Sequence, residues 1–219
     1  LRILGPDHPN TLTSRNNLAY AHRAAGRLDQ AIPLYEQNLT DSLRILGPDH
    51  PNTLTSRNNL AYAHRAAGHL DQAIALYEQN LTDSLRILGP DHPNTLTSRN
   101  NLAYAHESAG RLDQAIPLYE QNLTDSLRIL GPDHPNTLTS RNNLAYAHES
   151  AGRLDQAIAL YEQNLTDSLR ILGPDHPNTA IFRNNLASAY HAAGRSEDAA
   201  ALFDPPSDSG AADADRPGE

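Results

Sequence analysis

Between Leu28 and Leu46, apolar or small residues fall at positions 28, 31, 32, 35, 39, 42, 43 and 46, separated by Asp, Gln, Glu and Asn. Steps of three and four are the period of an α-helix with one buried stripe. Leu34 and Ile45 widen that stripe and predict a helix covered on two sides. Upstream, Leu12, Leu18, Ala19 and His22 mark one face of another helical segment. It is expected to open at Asp7-His8-Pro9, with Asp as the cap and Pro in the first turn, where its missing N–H costs nothing. It runs to Ala25; Gly26 ends it, and Gly47-Pro48 ends the next. At ~1.5 Å per residue both helices are roughly 27 to 28 Å long. Joined by so short a turn, they predict an antiparallel hairpin. Pro33 and Pro117 fall inside the second helix, where Pro removes a backbone bond and is expected to bend the axis; Ala75 and Ala159 are their counterparts.

The hairpin then repeats. The block LRILGPDHPNTLTSRNNLAYAHRAAGRLDQAIPLYEQNLTDS starts at Leu1 and returns at Leu43, Leu85 and Leu127, with a diverged fifth copy from Leu169. One hairpin cannot bury its own apolar face, whereas stacked copies bury each other's, so the chain is read as an all-α solenoid over residues 1–203. Residues 204–219, rich in Asp, Ala, Pro and Gly, read as a disordered acidic tail. The four full copies differ at only four sites, a near-identity that recent duplication explains.

The residues carry a family resemblance. Arg15, Leu18, Ala19 and His22 occupy the signature positions of the first helix of a tetratricopeptide repeat, and Ala31 and Tyr35 those of the second. The longer unit, with its GPDHPNT turn, NNLA core and AG-R-L-D-Q-A junction, resembles the forty-two-residue variant found in kinesin light chains and many bacterial proteins. The resemblance spans Leu1 to Phe203. His22 and its copies stand where the family usually has Tyr, restored as Tyr190. The resemblance implies a right-handed superhelix with first helices on the concave side, second helices on the convex side, and binding in place of chemistry.

On the first helix, Thr13, Asn16, Asn17, Tyr20 and Arg23 form a stripe opposite the apolar face. Stacking extends it through Asn58, Asn59, Tyr62 and Arg65, then Asn100, Asn101, Tyr104 and Glu107, then Asn142, Asn143, Tyr146 and Glu149. Asn amides suit the backbone of an extended peptide, and Tyr offers contact area at low entropy cost. The family likeness points the same way, since the Asn residues of the matching NNLA motif face the peptide in kinesin light chains. The other reading is that these amides bond to each other and to neighbouring helix ends. Along the stripe one position reads Arg23, Arg65, Glu107, Glu149, His191, which predicts a groove that orients a peptide with its acidic part over the first two repeats and its basic part over the next two. The expected function is a protein-interaction scaffold. The alternative is a self-assembling array: Leu1 to Gly5 matches the end of a second helix and Ser196 to Phe203 its beginning, so Leu1, Ile3, Leu4, Leu202 and Phe203 would stack head to tail.

Composition removes other classes. The formal net charge is −9, every basic residue is Arg, and no basic face exists for phosphates, so nucleic acid is not an expected partner. There is no Cys and no apolar run long enough to span a bilayer, so no disulfide, thiolate site or membrane segment is expected, and a cytoplasmic location is the default. The histidines recur one per helix, too far apart to share a metal ion; His22 and its copies are read as core residues. The sequon at Asn38 and its copies lies mid-helix and is read as accidental. No phosphate loop, nucleophile elbow or convergent carboxylate pair is present, so no cofactor or enzymatic activity is expected.

Overall fold

A computed structural model describes residue 5 and residues 7–203; Leu1, Ile3, Leu4 and the expected tail at 204–219 lie outside the described residues. The described residues form ten helices and no strand: α1 Pro9–Ala24, α2 Leu28–Leu46, α3 Pro51–Ala66, α4 Leu70–Leu88, α5 Pro93–Ser108, α6 Leu112–Leu130, α7 Pro135–Ser150, α8 Leu154–Ile171, α9 Pro177–Ala192 and α10 Ser196–Ala201. Each packs on the next, and the hairpins stack into a right-handed superhelical solenoid. α2 and α6 run unbroken through the exposed Pro33 and Pro117, over the same nineteen residues as α4.

The caps differ from the sequence expectation. His8, not Asp7, caps α1: its backbone is extended and its Nδ1 accepts the N–H of Asn10 at 3.1 Å, an arrangement repeated at His50, His92, His134 and His176. Asp7 is drawn away by Arg44, as Asp49 is by Arg86, so the aspartates fasten the inter-repeat turn to the following second helix. The other end follows the expected Gly. At Gly26, φ is 73°, a region open to glycine at little cost, and Arg27 N–H reaches His22 C=O at 2.9 Å while Gly26 N–H reaches Arg23 C=O.

There is no central core. Separate clusters repeat along the array, such as Ala61, Ala73, Ile74, Tyr77, Leu102 and Ala105, which joins both helices of one repeat to the first helix of the next. Fully buried Ala61 and Ala73 let the helices approach, and the Tyr77 ring, 1% exposed, fills the space between repeats. Leu43 departs from the predicted stripe: it and its copies are exposed, while Asn38, Asp41 and Ser42 are buried. The reason is a polar seam. Arg57 in α3 donates to Asp83 in α4 at 2.7 Å, with both side chains almost out of solvent, and Gln79 and Arg86 also donate to Asp83. The same set is centred on Asp41, Asp125 and Asp167.

His64, His106 and His148 are buried, as read from the sequence, whereas His22 is only half-buried. Burial holds all three imidazoles below their ordinary pKa. The unfolded chain therefore takes up protons first, so the stability they carry is full above the ordinary value near 6.5 and falls as pH drops below it. Nδ1 of His106 and His148 is buried without a partner. In the fifth repeat Tyr190 replaces His, donates its hydroxyl to Glu162 at 2.6 Å and lies under the Arg195 guanidinium. His106→Tyr, which gains the matching Glu78 and Arg111, is expected to add about 1 kcal/mol at neutral pH and more at pH 5. Chemical unfolding at the two pH values measures both.

Candidate functional site

First helices of successive repeats meet directly. Asn59 Nδ2 donates to Asn16 Oδ1 at 2.9 Å, Asn101 to Asn58 at 2.8 Å, Asn143 to Asn100 at 2.9 Å and Asn185 to Asn142 at 2.9 Å. Helices clamped this closely form the inner wall of the solenoid. The second Asn of each NNLA motif is thus a strut between repeats, as the structural reading of the amides held. The first Asn is half-buried in the groove floor with its acceptor committed, and its amide NH2 is directed away from that bond. Asn17, in the first repeat, is exposed.

Tyr20, Tyr62, Tyr104 and Tyr146 stand exposed in a row along this wall. The residue one turn later decides what lies between them. Arg23 sits 4.7 Å from the centre of the Tyr20 ring and 4.3 Å from that of Tyr62; Arg65 sits 5.0 Å from Tyr62 and 4.1 Å from Tyr104. Each guanidinium is sandwiched between rings of two repeats. In the next two repeats Glu107 and Glu149 replace Arg. Tyr161, buried in α8, donates its hydroxyl to Glu149 Oε2 at 3.1 Å, and Ser188 Oγ reaches Glu149 Oε1. Burial raises the Glu107 pKa, opposed by a hydrogen bond from Tyr119 and by the Arg65 charge. The buried Tyr of each second helix therefore ends under the groove. Burial pushes the Tyr77 hydroxyl up to about 12 and raises Tyr119 further still, with Glu107 adding to it, so both stay protonated donors. Between the two acidic repeats, Asn100, Tyr104, Glu107, Tyr119, Asn142 and Tyr146 line a pocket of about 400 Å³.

The stripe predicted from the sequence is thus one continuous surface, with an Arg–Tyr half and a Glu–Tyr half. The self-association set is only partly described. Leu202 packs on the last core cluster, and Phe203 is exposed although its counterparts Tyr35 to Tyr161 are buried. At the opposite end Leu18 is 51% exposed where Leu60 is 5%. Sequence reasoning missed the small pockets that flank the Asn ladder. One is lined by Pro51, Leu54, Thr55, Asn58, Asn80, Ser84, Leu88 and neighbouring residues of α5. The signal was Asn80 and Ser84 on an otherwise apolar helix stripe. Among the described residues no group of three or more His, Asp or Glu is placed to hold a metal, and no helix is long and apolar enough to cross a membrane.

The tetratricopeptide repeat family model matches residues 1–40, 15–82, 71–124, 100–166 and 143–204. Among solved structures, the chain is similar to a Podosopora anserina protein described as a kinesin light chain with nearly identical TPR-like repeats. The identity is 32% over 90% of this chain and 93% of that one, with a TM-score of 0.80. BtubC (BKLC) from P. vanneervenii is 22% identical over 94% of this chain and 87% of that one, with a TM-score of 0.75. MamA from Desulfovibrio magneticus RS-1 is 13% identical over 92% and 93% of the two chains, with a TM-score of 0.60. At such identities the last two share the fold alone. No curated protein matches the chain.

Proposed function

The chain belongs to the tetratricopeptide repeat family, a family of protein-interaction scaffolds, and from that premise we propose that it holds an extended segment of a partner protein along its inner wall. The observation that carries this reading is the unbroken row of exposed Tyr rings, braced from behind by inter-repeat Asn bonds. Rigid aromatic side chains on a pre-formed wall lose little entropy when a ligand arrives. The charges of Arg23 and Arg65 favour carboxylates, and those of Glu107 and Glu149 favour cations, so the bound segment runs with its acidic part over the first two repeats and its basic part over the next two.

The test is selection from a displayed library of random peptides. The native array is expected to enrich peptides whose acidic and basic residues are segregated in that order, and the Tyr62→Ala plus Tyr104→Ala variant, with unchanged helicity, to enrich none of them. Equal enrichment by the two arrays would refute the groove. The second reading is head-to-tail stacking. Sedimentation across a range of concentrations measures it, and a monomer throughout would remove it.

A further inference from the structure

Successive Tyr rings bound three slots on the inner wall, and the chain fills the first two itself. Arg23 stands between Tyr20 and Tyr62, 4.7 and 4.3 Å from the ring centres, and Arg65 between Tyr62 and Tyr104, 5.0 and 4.1 Å away. Stacking of this kind is the ordinary preference of a guanidinium for an aromatic face. In the third slot, between Tyr104 and Tyr146, the helix position that supplies Arg in the earlier repeats supplies Glu107. Glu is shorter and opposite in charge. The space it leaves is the pocket of about 400 Å³, lined by both rings, Glu107, Asn100, Asn142 and Tyr119.

The next repeat shows how such a carboxylate is otherwise closed off. Ser188 stands where the earlier repeats carry Tyr20, Tyr62, Tyr104 and Tyr146, so no second ring faces Tyr146 there. The hydroxyls of Tyr161 and Ser188 donate to Glu149, at 3.1 and 3.5 Å. Glu107 has the Tyr146 ring in the place of Ser188, and it is half-buried. Burial disfavours its charge, which the Tyr119 hydrogen bond and the Arg65 charge offset only in part. The third slot therefore combines two exposed rings and a carboxylate short of positive charge, at the place where the preceding slots hold a guanidinium.

Resting on the groove reading, we infer that the third slot takes the guanidinium of an arginine in the bound segment, stacked between Tyr104 and Tyr146 and paired with Glu107. Arg65, one slot earlier, is the template for the stacking. Arginine is favoured over lysine because a planar guanidinium lies flat against two rings and offers parallel N–H groups to one carboxylate, whereas an ammonium is a strongly hydrated point charge. The Arg65 charge on Tyr104 is no obstacle, since Tyr62 already carries two guanidiniums, at 4.3 and 5.0 Å. One arginine thus sets the register of the segment on the wall.

The probe is Nα-acetyl-arginine amide, titrated into the full chain with isotope-labelled tyrosine rings, beside the lysine and citrulline analogues; citrulline keeps the shape of arginine and lacks its charge. Saturable shifts are expected at Tyr104 and Tyr146, with arginine binding about tenfold more tightly than lysine and citrulline failing to saturate up to about 50 mM. Glu107→Arg, which fills the slot as Arg65 fills the one before, is expected to keep helicity and melting temperature and to abolish the arginine shifts. Tyr146→Leu, which removes one exposed wall, is expected to weaken arginine binding about three- to fivefold. No saturable shift with arginine, binding of lysine or citrulline as tight as that of arginine, or unchanged arginine binding by Glu107→Arg would overturn the slot. Displayed peptides enriched equally by the native and Glu107→Arg arrays, with no arginine in common, would leave the groove standing and remove only this inference. Arginine held in the slot while no displayed peptide is enriched would remove the groove and leave the slot as a guanidinium site.

Discussion

Asp125→Ala is expected to destabilise the array by about 3–5 kcal/mol, because Arg99 then stays buried without its partner. Arg99 is 6% exposed and donates to Asp125 at 2.8 Å; Gln121 and Arg128 converge on the same carboxylate. Removing the acceptor strands the buried Arg99 between the two helices of one hairpin, whereas Gln121 is exposed and Arg128 keeps its bond to Asp91. The double change Arg99→Met plus Asp125→Leu, which replaces the pair by apolar groups, is expected to recover most of the loss, so the two single costs do not add. Urea unfolding of the four proteins measures this. The carboxylate also sets an acid limit. Burial alone would raise Asp125, but hydrogen bonds from Gln121 and Arg128 and the Arg99 charge outweigh it and hold the carboxyl below the usual carboxylate range, as their equivalents do for Asp83 and Asp167. The unfolded chain therefore protonates first on acidification. The stability these groups give is complete above about pH 4, the unfolded value, and is lost as pH falls through their lower folded values. The His contribution is lost at higher pH, so acid unfolding is expected in two stages, the later one smaller when Asp125 is neutral, because Asp41, Asp83 and Asp167 keep their shares.

Tyr119→Ala is the second large change, with an expected cost of about 3–5 kcal/mol. The ring is 1% exposed and packs with Ala103, Ala115, Ile116, Leu123, Leu144 and Ala147, residues of two repeats. Its loss opens a cavity in the apolar cluster that joins those repeats. In an array whose units touch only their neighbours, the damage is local, and hydrogen exchange is expected to accelerate in α5 to α7 well before α9. Uniform acceleration through all helices would mean a single cooperative core and would contradict the nearest-neighbour account. Tyr119→Phe keeps the ring and removes only the donor against Glu107, so it is expected to cost much less and to change the groove more than the fold.

Much of this architecture is written in local pattern. The three-four spacing of Ala31, Ile32, Tyr35 and Leu39, the glycine stops and the forty-two-residue return are short-range signals, and helices form from them wherever neighbours supply the missing cover. The buried His64 follows from one homologous position, since Tyr190 shows that the site takes a large ring. The polar seam was not visible in the same way. Arg57 and Asp83 lie 26 residues apart, outside any helical window, and Asp83 was hidden by a stripe drawn through Leu85, which the fold leaves exposed. The cap was misassigned between neighbours: Asp7 is the stronger capping type, yet Arg44 removes it by an ion pair that only the tertiary structure reveals, and His8 takes the role. On the groove, the Asn and Tyr positions follow from helix geometry, whereas the division of labour within each Asn pair depends on how closely successive repeats approach.

The inner wall is the central claim, and amide chemical-shift mapping tests it most directly. A peptide enriched by the native array, titrated into the labelled protein, is predicted to shift Asn58, Tyr62, Asn100, Tyr104 and Tyr146 while Leu85 and Leu127 on the outer helices stay in place. Shifts confined to the outer helices, or to Leu18 and Phe203 at the two ends, would contradict it.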